Sequence, residues 1–183
     1  MSWTAPMTAV NNTVLTAAQW NAQVRDNLLE SATAKVTGTG QLVVTAGPNQ
    51  LIARQPLNAF ISTSEATTST SFGDLTTIGP AVTVTTGVSA IVFIVAQLTQ
   101  VNFQMYALAS YEVSGATSQP ANSGTSINFR SSRGNTFPQL FRACYADYNY
   151  QLTPGVNTFT MKYAAGGGGT ATFASRSLFV IPL

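Results

Sequence analysis

Residues 88–98 read V-S-A-I-V-F-I-V-A-Q-L, and this stretch decides the fold. Successive side chains of a strand point to opposite faces. Val88, Ala90, Val92 and Ile94 form one set, Ile91, Phe93 and Val95 the other, and both sets are apolar. That is the pattern of a strand covered on both sides. Residues 103–113 differ. Phe103, Met105, Ala107, Ala109, Tyr111 and Val113 alternate with Gln104, Tyr106, Ser110 and Glu112, as in a strand with one wet face. A small sandwich gives each sheet one inner face, so the doubly apolar strand needs a second cover. A neighbouring subunit would supply it.

Working outward, strands are predicted at 75–78, 81–86, 88–99, 103–113, 125–130, 138–146, 156–163 and 170–181. Gly79-Pro80, Gly87, Gly115, Gly124, Gly134, Pro154-Gly155 and Gly166 to Gly169 punctuate the joins. No ten-residue helical pattern separates these runs, which disfavours a parallel α/β sheet. The expected fold is mainly β: a jelly-roll-like antiparallel β-sandwich preceded by a short N-terminal α-helix and a β-hairpin.

Ahead of the sandwich, residues 1–14 show no period, and Pro6 and Asn11-Asn12 suggest an extended arm. Thr16 and Gln19 have the spacing of a capping box. Ala17, Trp20, Val24 and Leu28 then recur at three- and four-residue steps and share one helix face. Arg25, Asp26 and Glu30 fall off that stripe and read as solvated. So narrow a stripe suits a docking or oligomer seam formed by Trp20, Val24 and Leu28. The helix is expected to end near Ala34. Gln41 to Thr45 and Leu51 to Arg54 flank Gly47-Pro48-Asn49 as a hairpin. Pro56 to Ser71, rich in Ser and Thr, reads as a linker. The expected organisation is 1–55 for arm, helix and hairpin, 56–71 for the linker, and 72–183 for the jelly-roll-like domain.

Of the 183 residues only 8% are charged, while 45% are hydrophobic. Globular chains average about 25% charged, and the missing charge is replaced here by Thr, Ser, Asn, Gln and Gly. Interface cores are depleted in charge in the same way. The net charge of +2 is shared evenly between residues 1–55 and residues 56–183. There is no basic patch, so nucleic-acid binding is not expected. Residues 1–15 lack a basic start followed by an apolar run, and the longest apolar run, Ala90 to Ala96, is too short to span a bilayer. No membrane association is expected.

The chain contains no histidine, which removes the usual general base and most zinc sites. No catalytic residue, metal or cofactor is expected, and the chain reads as non-enzymatic. A glycosidase needs two carboxylates across a cleft, a role open in principle to Asp74, Glu112 and Asp147. Gly166 to Gly169 leads into a strand, so it reads as a hairpin loop and not as a dinucleotide loop. Cys144, the only cysteine, lies in an apolar run and reads as a buried, inert thiol. Arg142, Tyr145, Tyr148 and Tyr150 form the densest aromatic cluster. Aromatic rings stack on sugars and Arg clamps acids, so this cluster is the candidate ligand surface, with a host cell-surface glycan as the candidate ligand.

Residues 14–29, V-L-T-A-A-Q-W-N-A-Q-V-R-D-N-L-L, resemble the opening of virion structural proteins of tailed phages with Gram-positive, especially actinobacterial, hosts. These often carry T-A-x-x-(L/W)-N-x-x-(V/I)-R-D-N and are of minor tail, tail-fibre or head-decoration type. Residues 173–183, F-A-S-R-S-L-F-V-I-P-L, are similar to the closing strand of knobs in the same group. Together the two stretches cover both ends of the chain. The resemblance implies a virion component on the tail or head surface and a homotrimer. The N-terminus would attach to other virion proteins and the knob would face outward. The alternatives are a head decoration protein or a soluble lectin-like carbohydrate-binding domain.

Overall fold

A computed structural model describes Thr4, residues 7–8, 11–132 and 139–183. Pro6 in the predicted arm, the break at Gly134 and the strand start at 138 lie outside the described residues. The chain forms two compact units, residues 1–55 with Leu183, and residues 56–182.

In the first unit, Thr16 caps α1 (Ala17–Trp20) through the expected box: the Gln19 amide N–H donates to its hydroxyl, and the Gln19 side chain accepts from its amide at 2.9 Å. The expected single helix to Ala34 is broken into pieces. Asn21–Asp26 is a π-helical stretch, α2 is Asn27–Leu29, and after an extended Ser31 comes α3, Ala32–Lys35. A π segment widens the turn and rotates the residues beyond it. It carries Asn27 and Glu30 inward, so the expected solvated face of Asp26 and Glu30 is corrected: Glu30 is only 4% exposed. Lys35 donates to its carboxylate at 3.0 Å. That bond holds Glu30 below the usual carboxylate range against the opposing effect of burial. Strands β1 (Leu42–Gly47) and β2 (Gln50–Arg54) pair antiparallel as the predicted hairpin.

In the second unit, the described residues form nine antiparallel strands in two sheets: β3 (Leu57–Ile61), β4 (Glu65–Thr67), β5 (Ala81–Thr86), β6 (Ala90–Gln100), β7 (Tyr106–Gly115), β8 (Ile127–Arg130), β9 (Gln139–Asn149), β10 (Gly155–Gly166) and β11 (Ala171–Pro182). One sheet runs β5-β10-β7-β8. The other runs β3-β11-β6-β9, with β4 also on β11. If β3 and β4 are taken as one broken edge strand, the sheets read second-seventh-fourth-fifth and first-eighth-third-sixth. That is the wrapping of a jelly-roll sandwich, so the expected fold class is observed.

Three expectations fail here. Residues 56–71 are not merely a linker, because β3 and β4 pair with β11 along Leu57–Ile61 and Glu65–Thr67. Residues 75–78 make no strand; Leu75 instead plugs the core from a loop. Gly166 to Gly169 does not close a hairpin either. It joins β10 in one sheet to β11 in the other, with φ of 83, 93 and 82° at Gly167, Gly168 and Gly169, angles that glycine adopts without a Cβ penalty.

The core lies between the sheets. Val82, Val84, Ala107, Ala109, Phe159 and Met161 face Val92, Ile94, Ala96, Leu98, Phe173 and Leu178. One ring pair meets across it, Tyr163 4.9 Å from Phe173, and Tyr111 and Phe159 lie 6.0 Å apart on neighbouring strands of the four-stranded sheet. Near one edge β11 bulges between Ala174 and Ser177, and Ser175 takes φ 47°. The bulge aims Arg176 inward, where it is fully buried. Arg176 donates to Glu65 at 3.2 Å and Thr63 at 2.9 Å and lies over the Tyr163 ring. Glu65 also accepts from the Thr77 hydroxyl at 2.5 Å. One buried cation therefore fastens the broken edge strand to the sandwich.

Candidate functional site

The candidate site is assembled where β7 and β9 end. β7 leaves its sheet at Gly115, φ 106°, where a Cβ would sit 2.5 Å from the Val156 carbonyl oxygen. The chain then doubles back, and Val113 and Gln119 exchange backbone bonds at 2.8 and 2.9 Å. Buried Asn157 holds this return segment, accepting from the Thr117 amide at 2.8 Å and donating to the Thr86 hydroxyl at 2.7 Å. Asn122 caps a short 3-10 turn, Ser123–Thr125, with its side-chain oxygen. The segment is thereby laid beside the end of β9, the edge strand of the five-stranded sheet.

Between them lies a cleft of about 300 Å³, lined by Tyr111, Gln119, Asn122, Asp147, Asn149, Tyr150 and their neighbours. Its floor is a hydrogen-bond chain. The Tyr111 hydroxyl donates to Asp147. Asn149 donates to the Tyr111 hydroxyl at 3.3 Å and to the side-chain carbonyl oxygen of Gln119 at 2.7 Å, and Gln119 donates to the Gln151 backbone at 3.0 Å. Burial, and then the bond to Asp147, push the Tyr111 phenol far above its ordinary value, so it stays a neutral donor. The rim is formed by the Tyr148 and Tyr150 rings, 6.3 Å apart and tilted by 33°. They are 57% and 67% exposed.

Of the four residues of the predicted ligand surface, the structure brings together Tyr148 and Tyr150 and separates the rest. Tyr145 stands an odd number of positions from Tyr148, hence on the opposite face of β9. It packs against the core, and its hydroxyl donates to the Gly124 carbonyl at 3.2 Å. Arg142 shares the face of Tyr148 but is six residues away, about 20 Å along an extended strand. It cannot clamp a ligand in the cleft. Sequence reasoning missed Tyr111, Gln119, Asn122 and Asn149, and named Asp147 only as a possible catalytic carboxylate, not as part of a ligand surface. Only Asp147 and Asn149 carried a local signal, as the alternate positions between the tyrosines.

The predicted carboxylate trio does not meet. Asp74 and Glu112 both bind Lys162, at 2.8 and 2.9 Å, on the outer face of the four-stranded sheet. Burial lowers the Lys162 ammonium, but the bonds from Asp74 and Glu112 outweigh it and leave its pKa raised. Asp147 instead belongs to the cleft. Among the described residues no group of three His, Cys, Asp or Glu side chains is placed to hold a metal, and no helix is long and apolar enough to cross a membrane.

In the N-terminal seam, Trp20 and Leu28 are more than half exposed, and Val24 is half-buried. Trp20 and Val24 share an apolar groove of about 410 Å³ with Met7 and Leu15, while Leu28 lies outside its lining. The opposite side of the same helical segment is polar and grips the arm. Asn27 accepts from the Thr4 amide at 2.9 Å and donates to the Thr4 carbonyl at 3.2 Å, and Gln23 accepts from the Met7 amide at 3.1 Å.

A second apolar surface lies on the five-stranded sheet. Register places Ile91, Phe93 and Val95 of β6 beside Phe179 and Ile181 of β11, Phe60 of β3 and Cys144 of β9, all on the outward side. Phe60 is 58% exposed, and the Phe93 and Phe179 rings lie 6.0 Å apart. Arg142 is the single charged side chain in register on this face among the described residues. Cys144 is exposed there, which corrects the expectation of a buried thiol.

No protein-family model matches the chain, and no curated protein matches it in sequence. Among solved structures it is similar to the VP2 subviral particle of infectious bursal disease virus, at 12% identity and a TM-score of 0.38, over 75% of this chain and 36% of that one. The Gx strain of the same virus gives 13% identity and 0.35, over 75% and 35%. TmCBM61 in complex with β-1,4-galactotriose gives 13% and 0.29, over 80% and 85%. The chain thus spans about a third of the length of the viral chains it matches. Likenesses this distant say nothing of what the chain binds.

Proposed function

We propose that the chain is a non-enzymatic structural component of a phage particle, of minor tail or fibre type. In this reading it docks on other virion proteins through its N-terminal segment and presents the jelly-roll sandwich as a knob that engages the host surface. The observation that carries the reading is the inverted polarity of the helical segment. Asn27 and Glu30 are buried, while Trp20 and Leu28 stand more than half exposed. A helix folded for its own unit alone turns its apolar stripe inward; this one holds it out for a partner. The same residues belong to the stretch, 14–29, that resembles phage virion proteins. The apolar outer face of the five-stranded sheet supports assembly of copies with one another, and the resemblance favours a homotrimer.

The test is cosedimentation. A tagged chain produced in the bacterium where its particle assembles is expected to travel with particles through a density gradient. The Trp20→Ser/Leu28→Ser variant is expected to stay at the top. A wild-type chain left at the top overturns the reading. Migration with isolated heads and not with tails replaces the tail assignment by head decoration.

A further inference from the structure

We propose that the cleft between the end of β9 and the 116–125 segment binds an uncharged oligosaccharide, and that acidic glycans are not its ligands. The proposal rests on the reading of the sandwich as a host-binding knob and names the chemical class of what it binds.

Charge comes first. Among the described residues, Asp147 is the single ionisable carboxylate lining the cleft, and no cation lines it. An acidic sugar entering here would meet a carboxylate with no counter-charge, a repulsive arrangement that selects against it. Arg142, the cation that would have offered a clamp, lies about 20 Å away along the strand. The remaining lining is amide and hydroxyl. Asn122, Asn149 and Gln119 carry both donors and acceptors, which suits the vicinal hydroxyls of a sugar, each of which also donates and accepts. Several of these groups are already fixed by bonds to one another, so the polar floor is organised before a ligand arrives. Three partners stay open among the described residues: the second carboxylate oxygen of Asp147, the side-chain NH₂ of Asn122 and the side-chain amide of Gln151.

The rim supplies the apolar half. Exposed Tyr rings present flat faces to the C–H face of a pyranose while their hydroxyls stay wet. Two rings 6.3 Å apart and mutually tilted suit a ring lying against them better than insertion of a flat aromatic. At about 300 Å³ the cleft is at the small end of the range for ligand sites, room for a terminal sugar and a neighbour.

The experiment is an array of neutral oligosaccharides printed beside others bearing uronate, sialate or sulfate, probed with the full-length chain. Signal is expected on neutral spots alone. Tyr150→Ala and Gln151→Ala, both at exposed positions, are each expected to weaken the positive spots by about fivefold to tenfold without changing the melting temperature or the mass in solution. Signal on acidic spots that Tyr150→Ala removes overturns the ligand class and leaves the knob a binding module. Neutral signal that both variants keep overturns the site. Silence on every spot overturns the glycan-binding role of the knob, while cosedimentation with particles separately decides the virion reading.

Discussion

The two outer faces of the sandwich are built from the same alternation and finish differently. On the four-stranded sheet the outward positions hold Thr83, Thr158 and Thr160, with the Thr83 and Thr158 hydroxyls 2.9 Å apart, and Lys162 joined to Asp74 and Glu112. On the five-stranded sheet they hold Phe60, Ile91, Phe93, Val95, Phe179 and Ile181. One face has satisfied its polar groups within the chain. The other leaves its apolar side chains uncovered, although such patches are usually small on monomers. The difference teaches where the second apolar set of β6 is directed: away from the core, onto a face that a second copy is proposed to cover.

The largest effect is expected at the edge strand that carries Phe60. Arg176→Ala removes the buried cation that fastens β3 and β4. It should cost about 3 kcal/mol in unfolding free energy, read by denaturant titration, and should expose β3 to proteolysis. Next, Phe60→Lys/Phe179→Lys puts like charges on the apolar face. Self-association should weaken about 100-fold, while the unfolding free energy of the monomer moves by no more than about 0.5 kcal/mol. Native Cys144 serves as a reporter: a thiol reagent should modify it slowly in the wild type and rapidly in this variant. On the polar face, Lys162→Ala should cost about 1 kcal/mol, because both carboxylates are partly solvated and screened, and should leave the mass unchanged.

The smallest effect is a pH dependence. Chiefly the Thr77 hydroxyl bond, with Arg176 adding to it, holds Glu65 below its ordinary 4.5. The stability it contributes is present above that unfolded value and is lost as pH falls through the lowered one. Glu65→Gln should flatten the acid limb of a melting-temperature profile and leave the neutral range nearly level.

Much of this was legible in the sequence because it is local. Period-two alternation located β7, Gly and Pro breaks set off β5 and β11, and the doubly apolar run at 88–98 located β6 and announced its apolar outer side. The Thr16–Gln19 box located the helix start. What failed depends on distance. The π turn that swings Glu30 inward leaves no periodic signature. The strands within 56–71 are held by Arg176, more than 100 residues away. The cleft joins Asn122 to Asp147 through a return segment fixed by Asn157, and no spacing reports that meeting. Tyr145, by contrast, was separable from Tyr148 on parity alone.

We propose that copies of this chain meet through the apolar face, and the direct measurement is the mass of the full-length chain by light scattering, beside Phe60→Lys/Phe179→Lys. The expected result is a wild-type mass near three times 19.2 kDa and a variant close to one chain. A wild-type mass of a single chain, or a trimer that the two lysines leave intact, would contradict it.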